Sequence, residues 1–235
     1  MGDSLSKAER EKIFGLFIKK HNLKFSEIEK EIGIRSNALA YHLEQMVKDE
    51  LLEKQGSAYK LTDKAEKMIP FFAHLTGKEV GALPVVLVAI LNKKRTKICL
   101  LKRAKRPYKD YWGVIGGKLK LEESIEETAV RESKEETNLL CKFEKINAVL
   151  HERVRENNNV KHAFVLFFTT VIAENEDSRC SEEGNVQWFE LSKLDNEKII
   201  PSDMWMLKNC LKSKSDLKQV LIEEENQELK NLEVR

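Results

Sequence analysis

Residues 116–139 read GGKLKLEESIEETAVRESKEETNL, a pattern that constrains its surroundings more than any other in the chain. Two adjacent glycines lead into a run of glutamates interrupted by one arginine. The spacing is Gly-x5-Glu-x7-Arg-Glu-x2-Glu-Glu, formed by Gly117, Glu123, Arg131, Glu132, Glu135 and Glu136. A glycine loop that precedes an acidic helix predicts a site with backbone access and concentrated negative charge.

The acidic run carries the signals of a capped helix. Ser124 and Glu127 form a capping box, and Asn138 is suited to the left-handed conformation that ends a helix. Because a helix turns by about 100° per residue, the last three glutamates of the pattern fall within a roughly 100° sector. Carboxylates this close repel one another unless hard cations such as Mg²⁺ or Mn²⁺ lie between them. A solvated helix face is the alternative interpretation, and the preceding glycine pair argues against it.

The pattern is that of the Nudix box, and the chain from about Pro84 to Leu211 resembles the Nudix hydrolases. The resemblance implies a Mg²⁺- or Mn²⁺-dependent hydrolase that cleaves the phosphoanhydride of a nucleoside diphosphate linked to another group. It assigns metal ligation to the Gly116 carbonyl, Glu132, Glu135 and Glu136, support to Glu123 and Arg131, and the catalytic base or a further ligand to Glu182 or Glu183. The residues that mark particular substrates in the family are not evident around residues 153–156, so the substrate stays open.

The segment LLKRAKRPYKDYW, residues 100–112, precedes the box and combines basic with aromatic side chains. These residue types suit phosphate binding and base stacking. We therefore expect a nucleotide-like small molecule to contact Arg103, Arg106, Tyr111, Trp112, Gly116 and Gly117. In the alternative, Trp112 packs beneath the loop while the basic residues stay solvated. His151 and His162 lie in strand-like segments and are interpreted as structural.

The helical and strand-like patterns predict an α+β chain with three segments. Residues 1–78 form a winged helix-turn-helix domain, residues 79–213 a Nudix α/β/α sandwich with a mixed sheet, and residues 214–235 a helical tail. The first prediction rests on helix, helix, turn, helix and hairpin patterns in that order. The stretch RSNALAYHLEQMVKDELLEKQGSAYKLTDKAEKM, residues 35–68, resembles prokaryotic winged-helix regulators.

In the winged-helix interpretation, the helix that begins near Ser36 enters the major groove of double-stranded DNA. The predicted DNA contacts are Arg35, Ser36, Asn37, Tyr41 and Gln45. Residues 1–78 hold 14 basic and 12 acidic side chains, a net charge of +2 that is weak for DNA binding unless a homodimer doubles it. Two alternatives stay open: a domain for dimerisation or protein docking only, and a transcriptional regulator whose Nudix domain senses a nucleotide-like metabolite.

The composition adds few constraints. The 235 residues carry a net charge of +2, and the four cysteines form no CxxC pair, which argues against a zinc site or a disulfide framework. No apolar run approaches the roughly 18 residues of a membrane span. We expect a cytoplasmic protein with no membrane partner.

Overall fold

The structure is a computed structural model that describes Leu5 and residues 7–72, 81–105, 108–225 and 228–234. The chain divides into two units, Met1–Gly81 and Ala82–Arg235. The boundary expected between residues 78 and 79 falls among residues 73–80, outside the described residues. Each unit has its own hydrophobic core and is considered separately.

The first unit combines helices with a small antiparallel sheet. Its elements are α1 (Ala8–Lys19), β1 (Asn22–Lys24), α2 (Phe25–Ile32), α3 (Ser36–Lys48), β2 (Leu52–Gln55), β3 (Ala58–Leu61) and α4 (Asp63–Glu66), followed by a 3-10 turn at Ile69–Phe71. The sheet order is β1-β3-β2, and both pairings are antiparallel. The apolar spacing of α3 explains its packing, because Leu39, Leu43 and Met46 recur on one face and are fully buried.

The second unit is built on a seven-stranded sheet. Its strands are β4 (Leu83–Leu91), β5 (Lys97–Arg103), β6 (Trp112–Gly113), β7 (Ile115–Lys118), β8 (Cys141–Glu156), β9 (Asn159–Ala173) and β10 (Gly184–Glu190). The described helices of the second unit are α5 (Ile125–Thr137) and α6 (Pro201–Asn209), and a 3-10 helix spans Leu191–Asn196.

The strand order is β10-β5-β4-β9-β8, with β6 paired to β5 and β7 paired to β4. The central pair, β4 with β9, is parallel, and the other pairings of this sheet are antiparallel. The mixed sheet expected from the sequence is confirmed.

Both faces of the sheet are covered, as the alternation of side chains along β4 shows. Val86, Val88 and Ile90 belong to the buried cluster that contains Ile125 and Ala129 of α5, whereas Ala89 and Leu91 belong to the cluster that contains Met206 and Leu207 of α6. Residues two apart in a strand share a face, so each face receives its own helix. The unit is an α/β/α sandwich.

The expected helical tail is wrong. Two strands, β11 (Val220–Glu225) and β12 (Glu228–Val234), lie there and pair antiparallel. Cross-strand pairs join Val220 with Val234 and Ile222 with Leu232. The β-branched residues Val220, Ile222 and Val234 favour a strand over a helix. Leu217 packs against the buried cluster that contains Ile125 and Ala129 of α5.

Within the part of the chain that the structure describes, no helix is long and apolar enough to cross a membrane.

Candidate active site

The acidic helix α5 has the ends that its sequence predicts. The Ser124 hydroxyl accepts from the Glu127 N–H at 3.1 Å, and the Glu127 carboxylate accepts from the Ser124 N–H at 2.8 Å. Asn138 ends the helix with φ 59°, in the left-handed region. Ala129 and Ser133 are fully buried. The small side chains of these two residues let α5 lie directly on the sheet.

Arg131 joins the carboxylates of the pattern to one another. Its Nε donates to Glu123 Oε1 at 2.7 Å and its Nη2 donates to Glu123 Oε2 at 2.8 Å, a bidentate pair. Its Nη1 donates to Glu132 at 2.5 Å and to Glu135 at 3.0 Å. The hydrogen bond to Arg131 holds the pKa of Glu123 below its usual range. Arg131 thereby fixes the positions of carboxylates that would otherwise repel one another.

Neighbouring atoms lie so close to the two glycines of β7 that neither position has room for a Cβ. A Cβ on Gly117 would lie 1.9 Å from Glu132 Oε1, and a Cβ on Gly116 would lie 2.6 Å from the Val86 carbonyl oxygen. The Glu132 carboxylate therefore rests directly on the Gly117 backbone. This contact explains why a glycine precedes the acidic helix.

An acidic cavity of about 550 Å³ opens where α5 faces β7 and the loop before β10. Its lining is Gly116, Gly117, Lys118, Glu132, Glu135, Glu136, Ser181, Glu182 and Glu183. Burial, followed by the negative charges of Glu132 and Glu183, raises the pKa of Glu136 to about 8, although a hydrogen bond from the Gly116 backbone opposes this shift. The predicted ligands and both candidate bases thus border one cavity.

This lining fits a hard divalent cation, since it offers five carboxylates beside a glycine backbone. Burial is the largest cause of the raised pKa of Glu136, and the negative charges of Glu132 and Glu183 add to it; a cation among these carboxylates would offset the second effect. Among the described residues, no three acidic, cysteine or histidine side chains converge on one point. Two of the expected ligands, Glu132 and Glu135, are instead held by Arg131.

The acidic loop before β10 is tied to the basic segment that follows β5. Lys105 Nζ lies 2.9 Å from Glu183 Oε1, and the Ala104 N–H donates to the Glu183 carbonyl at 3.0 Å. The negative charge of Glu183 is one of the causes that raise the pKa of Glu136, so this candidate base interacts with a predicted ligand.

A cleft of about 280 Å³ adjoins the acidic cavity and shares Gly116, Gly117 and Lys118 with it. The rest of its lining is mostly apolar: Leu83, Val85, Leu87, Val114, Phe164, Leu166 and Ile200, with Arg103, Tyr108, Glu152, Ser202 and Asp203 as polar members. An apolar cleft with few convergent polar groups is typical of a small-molecule site.

Hydrogen bonds fix the positions of several polar side chains in the cleft. Asp203 is buried and accepts from the Val114 N–H at 2.9 Å; burial raises its pKa to about 7. The Tyr108 hydroxyl donates to Glu152 Oε1 at 3.1 Å. Tyr108 belongs to the basic and aromatic segment that the sequence marked for substrate contact, although it was not among the predicted contacts. Glu152, Phe164 and Asp203 were missed from the sequence, because they come from separate elements that only the fold brings together.

The predicted substrate contacts separate into three groups. Arg103, Gly116 and Gly117 line the cleft. Trp112 packs edge to face against Phe189 with ring centroids 4.8 Å apart, and Lys198 Nζ lies 4.2 Å from the centroid of the Tyr111 ring. Within the described ranges neither aromatic residue lines either cavity, and Arg106 lies outside those ranges.

The five predicted DNA contacts lie on or beside α3 of the first unit. Arg35 is its N-cap, Ser36 its first residue, and both are exposed, as is Asn37. The Ser36 hydroxyl donates to the Glu29 carboxylate. Tyr41 is 50% exposed, and Gln45 is half-buried.

The profile of the NUDIX domain matches residues 82–208. An ADP-ribose pyrophosphatase of Methanocaldococcus jannaschii is 31% identical over 126 residues, which cover 52% of this chain and 73% of that protein. The uncharacterized Nudix hydrolase YvcI of Bacillus subtilis is 25% identical over 119 residues, which cover 49% of this chain and 72% of the relative. The NUDIX domain of NrtR from Shewanella oneidensis, solved with ADP ribose, aligns at 16% identity with a TM-score of 0.46, covering 56% of this chain and 88% of that one.

Proposed function

This chain belongs to the Nudix family, and from that premise we propose that it hydrolyses the phosphoanhydride of a nucleoside diphosphate linked to another group. One observation carries the proposal: an acidic cavity and an apolar cleft border the same two glycines. A diphosphate that lies along Gly116 and Gly117 would place its phosphates beside the carboxylates and one of its attached groups in the cleft.

We assign binding of Mg²⁺ or Mn²⁺ to Glu132, Glu135, Glu136 and the Gly116 carbonyl. When bound, such an ion neutralises phosphate charge and lowers the pKa of a water ligand. The chain's own residues do the rest. Arg131 keeps the carboxylates in place through its hydrogen bonds, Arg103 and Lys118 add positive charge in the cleft, and Glu183 accepts the proton of the attacking water.

The first substrate to test is ADP-ribose, because the relative that is 31% identical is an ADP-ribose pyrophosphatase. The cleft of about 280 Å³, with its mostly apolar lining, suits a flat group with apolar faces, such as a nucleobase. Nucleotide sugars and dinucleotides share the same phosphoanhydride and belong in the same panel.

The test is a substrate panel with purified full-length protein. We expect Mg²⁺-dependent release of a nucleoside monophosphate from one substrate class, measured by chromatography, and no release with EDTA. Glu183→Gln should lower kcat, with Glu182→Gln as the matched control on the same loop. Absence of turnover with every substrate in Mg²⁺ and in Mn²⁺ would contradict the proposal.

A second function, DNA binding by the first unit, is favoured by a specific observation. Asn37 and Tyr41 lie exposed on the side of α3 opposite the face that packs into the core, and the exposed Arg35 precedes them as the N-cap of the helix. The order of elements in this unit is that of a winged helix-turn-helix, in which such a helix enters the major groove. We propose that a homodimer binds double-stranded DNA in this way and that a nucleotide-like ligand of the Nudix domain regulates it.

Fluorescence anisotropy with DNA from the protein's own promoter tests the second function. Arg35→Ala should weaken binding and reduce its salt dependence, whereas Lys19→Ala on α1 removes the same charge away from the proposed surface. Binding that is absent, or that both substitutions weaken equally, would favour the alternative in which this unit serves dimerisation or protein docking.

A further inference from the structure

The hairpin of β8 and β9 extends beyond its neighbours in the sheet. β4 pairs with β9 from Phe164 to Ile172, but β8 and β9 continue to pair as far as Glu156 and Asn159. Asn157 and Asn158, both with positive φ, form the two-residue turn. Residues 153–163 therefore form a two-stranded arm that extends beyond the part of β9 paired with β4. Most of the side chains of this arm are exposed.

One face of the arm continues the wall of the cleft. Phe164 and Glu152 are cross-strand partners, and both line the cleft. His162 and Val154 are the next pair on the same face, because residues two apart in a strand point to the same side. The ring centroids of His162 and Phe164 are 6.3 Å apart, and the two ring planes differ by 31°. An aromatic surface thus runs from the cleft onto the exposed arm.

We propose that His162, together with Phe164, forms a stacking wall for the nucleobase of the substrate. The inference rests on the proposed hydrolase function and specifies which group enters the cleft. A flat heterocycle matches the chemistry of the wall, since aromatic side chains stack on the faces of bases whatever their sequence. Glu152, on the same face, retains acceptor sites beyond its bond from Tyr108 and can accept from an N–H on the edge of the base.

Lys161 supplies the matched control. It adjoins His162 in β9, so its side chain points to the opposite face of the arm, and its Nζ lies 3.1 Å from Glu156 Oε2. Both residues are exposed. Substitution of either leaves the buried core of the unit intact, so an effect confined to His162 reports on the wall.

The experiment compares two ligands that differ only by a base, AMP and ribose 5-phosphate, by calorimetry with the full-length protein. His162→Ala should weaken AMP binding by about fivefold to tenfold, the lower range for loss of one base–aromatic stack. Binding of ribose 5-phosphate should not change. His162→Phe should bind AMP as the wild type does, and Lys161→Ala should leave both affinities unaltered.

Three results would overturn the inference: wild-type protein that does not bind AMP, His162→Ala with unchanged AMP affinity, or equal weakening of both ligands. Calorimetry requires no turnover. Failure of the hydrolase proposal would therefore appear in the substrate panel, and failure of the stacking wall would appear in the comparison of the two ligands.

Discussion

The acidic cavity and the apolar cleft lie on either side of β7 and differ in their chemistry. The cavity is lined by five glutamates from α5 and one loop, whereas the cleft is lined mainly by apolar side chains from several strands, with Ser202 and Asp203 of α6 among its polar members. Negative charge in the cavity favours cations, and apolar surface in the cleft favours a flat organic group. Gly116 and Gly117 are common to both.

Under the proposed function, the two cavities would recognise a diphosphate substrate in two independent ways. The carboxylates of the acidic cavity would act on the reacting phosphates, so changes there should affect turnover. The residues of the cleft would contact the attached group, so changes there should affect affinity. A substitution at the shared border should affect both.

Substitution of Gly117, which borders both the acidic cavity and the cleft, should cause the largest loss of kcat. Gly117→Ala places a Cβ 1.9 Å from Glu132 Oε1, so the carboxylate must move. Because a displacement of about 1 Å at a reacting centre can cost on the order of a hundredfold in rate, we expect kcat to fall by that factor or more. Gly15→Ala is the control, since its Cβ meets nothing closer than 3.9 Å. Wild-type kcat in Gly117→Ala would contradict the geometry.

Removing the arginine that holds the carboxylates should have the next largest effect. Arg131→Met abolishes hydrogen bonds to Glu123, Glu132 and Glu135, and we expect kcat/KM to fall about tenfold to a hundredfold, as for other residues that orient metal ligands. Arg131→Lys should not restore activity, because lysine lacks the planar fork. Steady-state kinetics over a range of Mg²⁺ concentrations measures this. A loss of equal size in Lys134→Met, on the same helix, would show that the effect is not specific to Arg131.

The third effect concerns Asp203 in the cleft and is an effect on stability, with little effect expected on the rate of hydrolysis. Burial raises the pKa of Asp203 from 3.8 to about 7, so the folded state retains a proton that the unfolded state has released. The contribution of Asp203 to the free energy of unfolding therefore falls as pH rises from about 4 to about 7, by about 1 kcal/mol per pH unit. Asp203→Asn should remove this slope. Urea unfolding at pH 5 and pH 7 gives the change in the free energy of unfolding between the two pH values. An equal change in the wild type and in Asp203→Asn would contradict the raised pKa of Asp203.

The acidic cavity was readable from sequence because its determinants are local. The capping box of Ser124 and Glu127, the left-handed Asn138 and the spacing of the glutamates all lie within one helix and its ends. The cleft could be predicted only in part, through Arg103, Gly116 and Gly117. Glu152, Phe164 and Asp203 are distant from one another in sequence and meet through the pairing of β8 and β4 with β9 and the packing of α6.

Two further expectations fared differently. The substrate contact of Trp112 stays a prediction; its ring packs against Phe189, and composition alone does not separate a stacking aromatic from a buried one. The terminal segment was expected to be a helix, yet it contains the strands β11 and β12, whose β-branched residues Val220, Ile222 and Val234 favour a strand.

The proposed metal-dependent hydrolysis depends on Glu136, and substitution of this residue provides the sharpest test. With the best substrate of the panel and saturating Mg²⁺, kcat is compared for the wild type, Glu136→Gln and Glu126→Gln; Glu126 is an exposed residue of the same helix. We predict that Glu136→Gln loses on the order of a hundredfold or more in kcat and that Glu126→Gln retains wild-type activity. Full activity of Glu136→Gln would contradict the account.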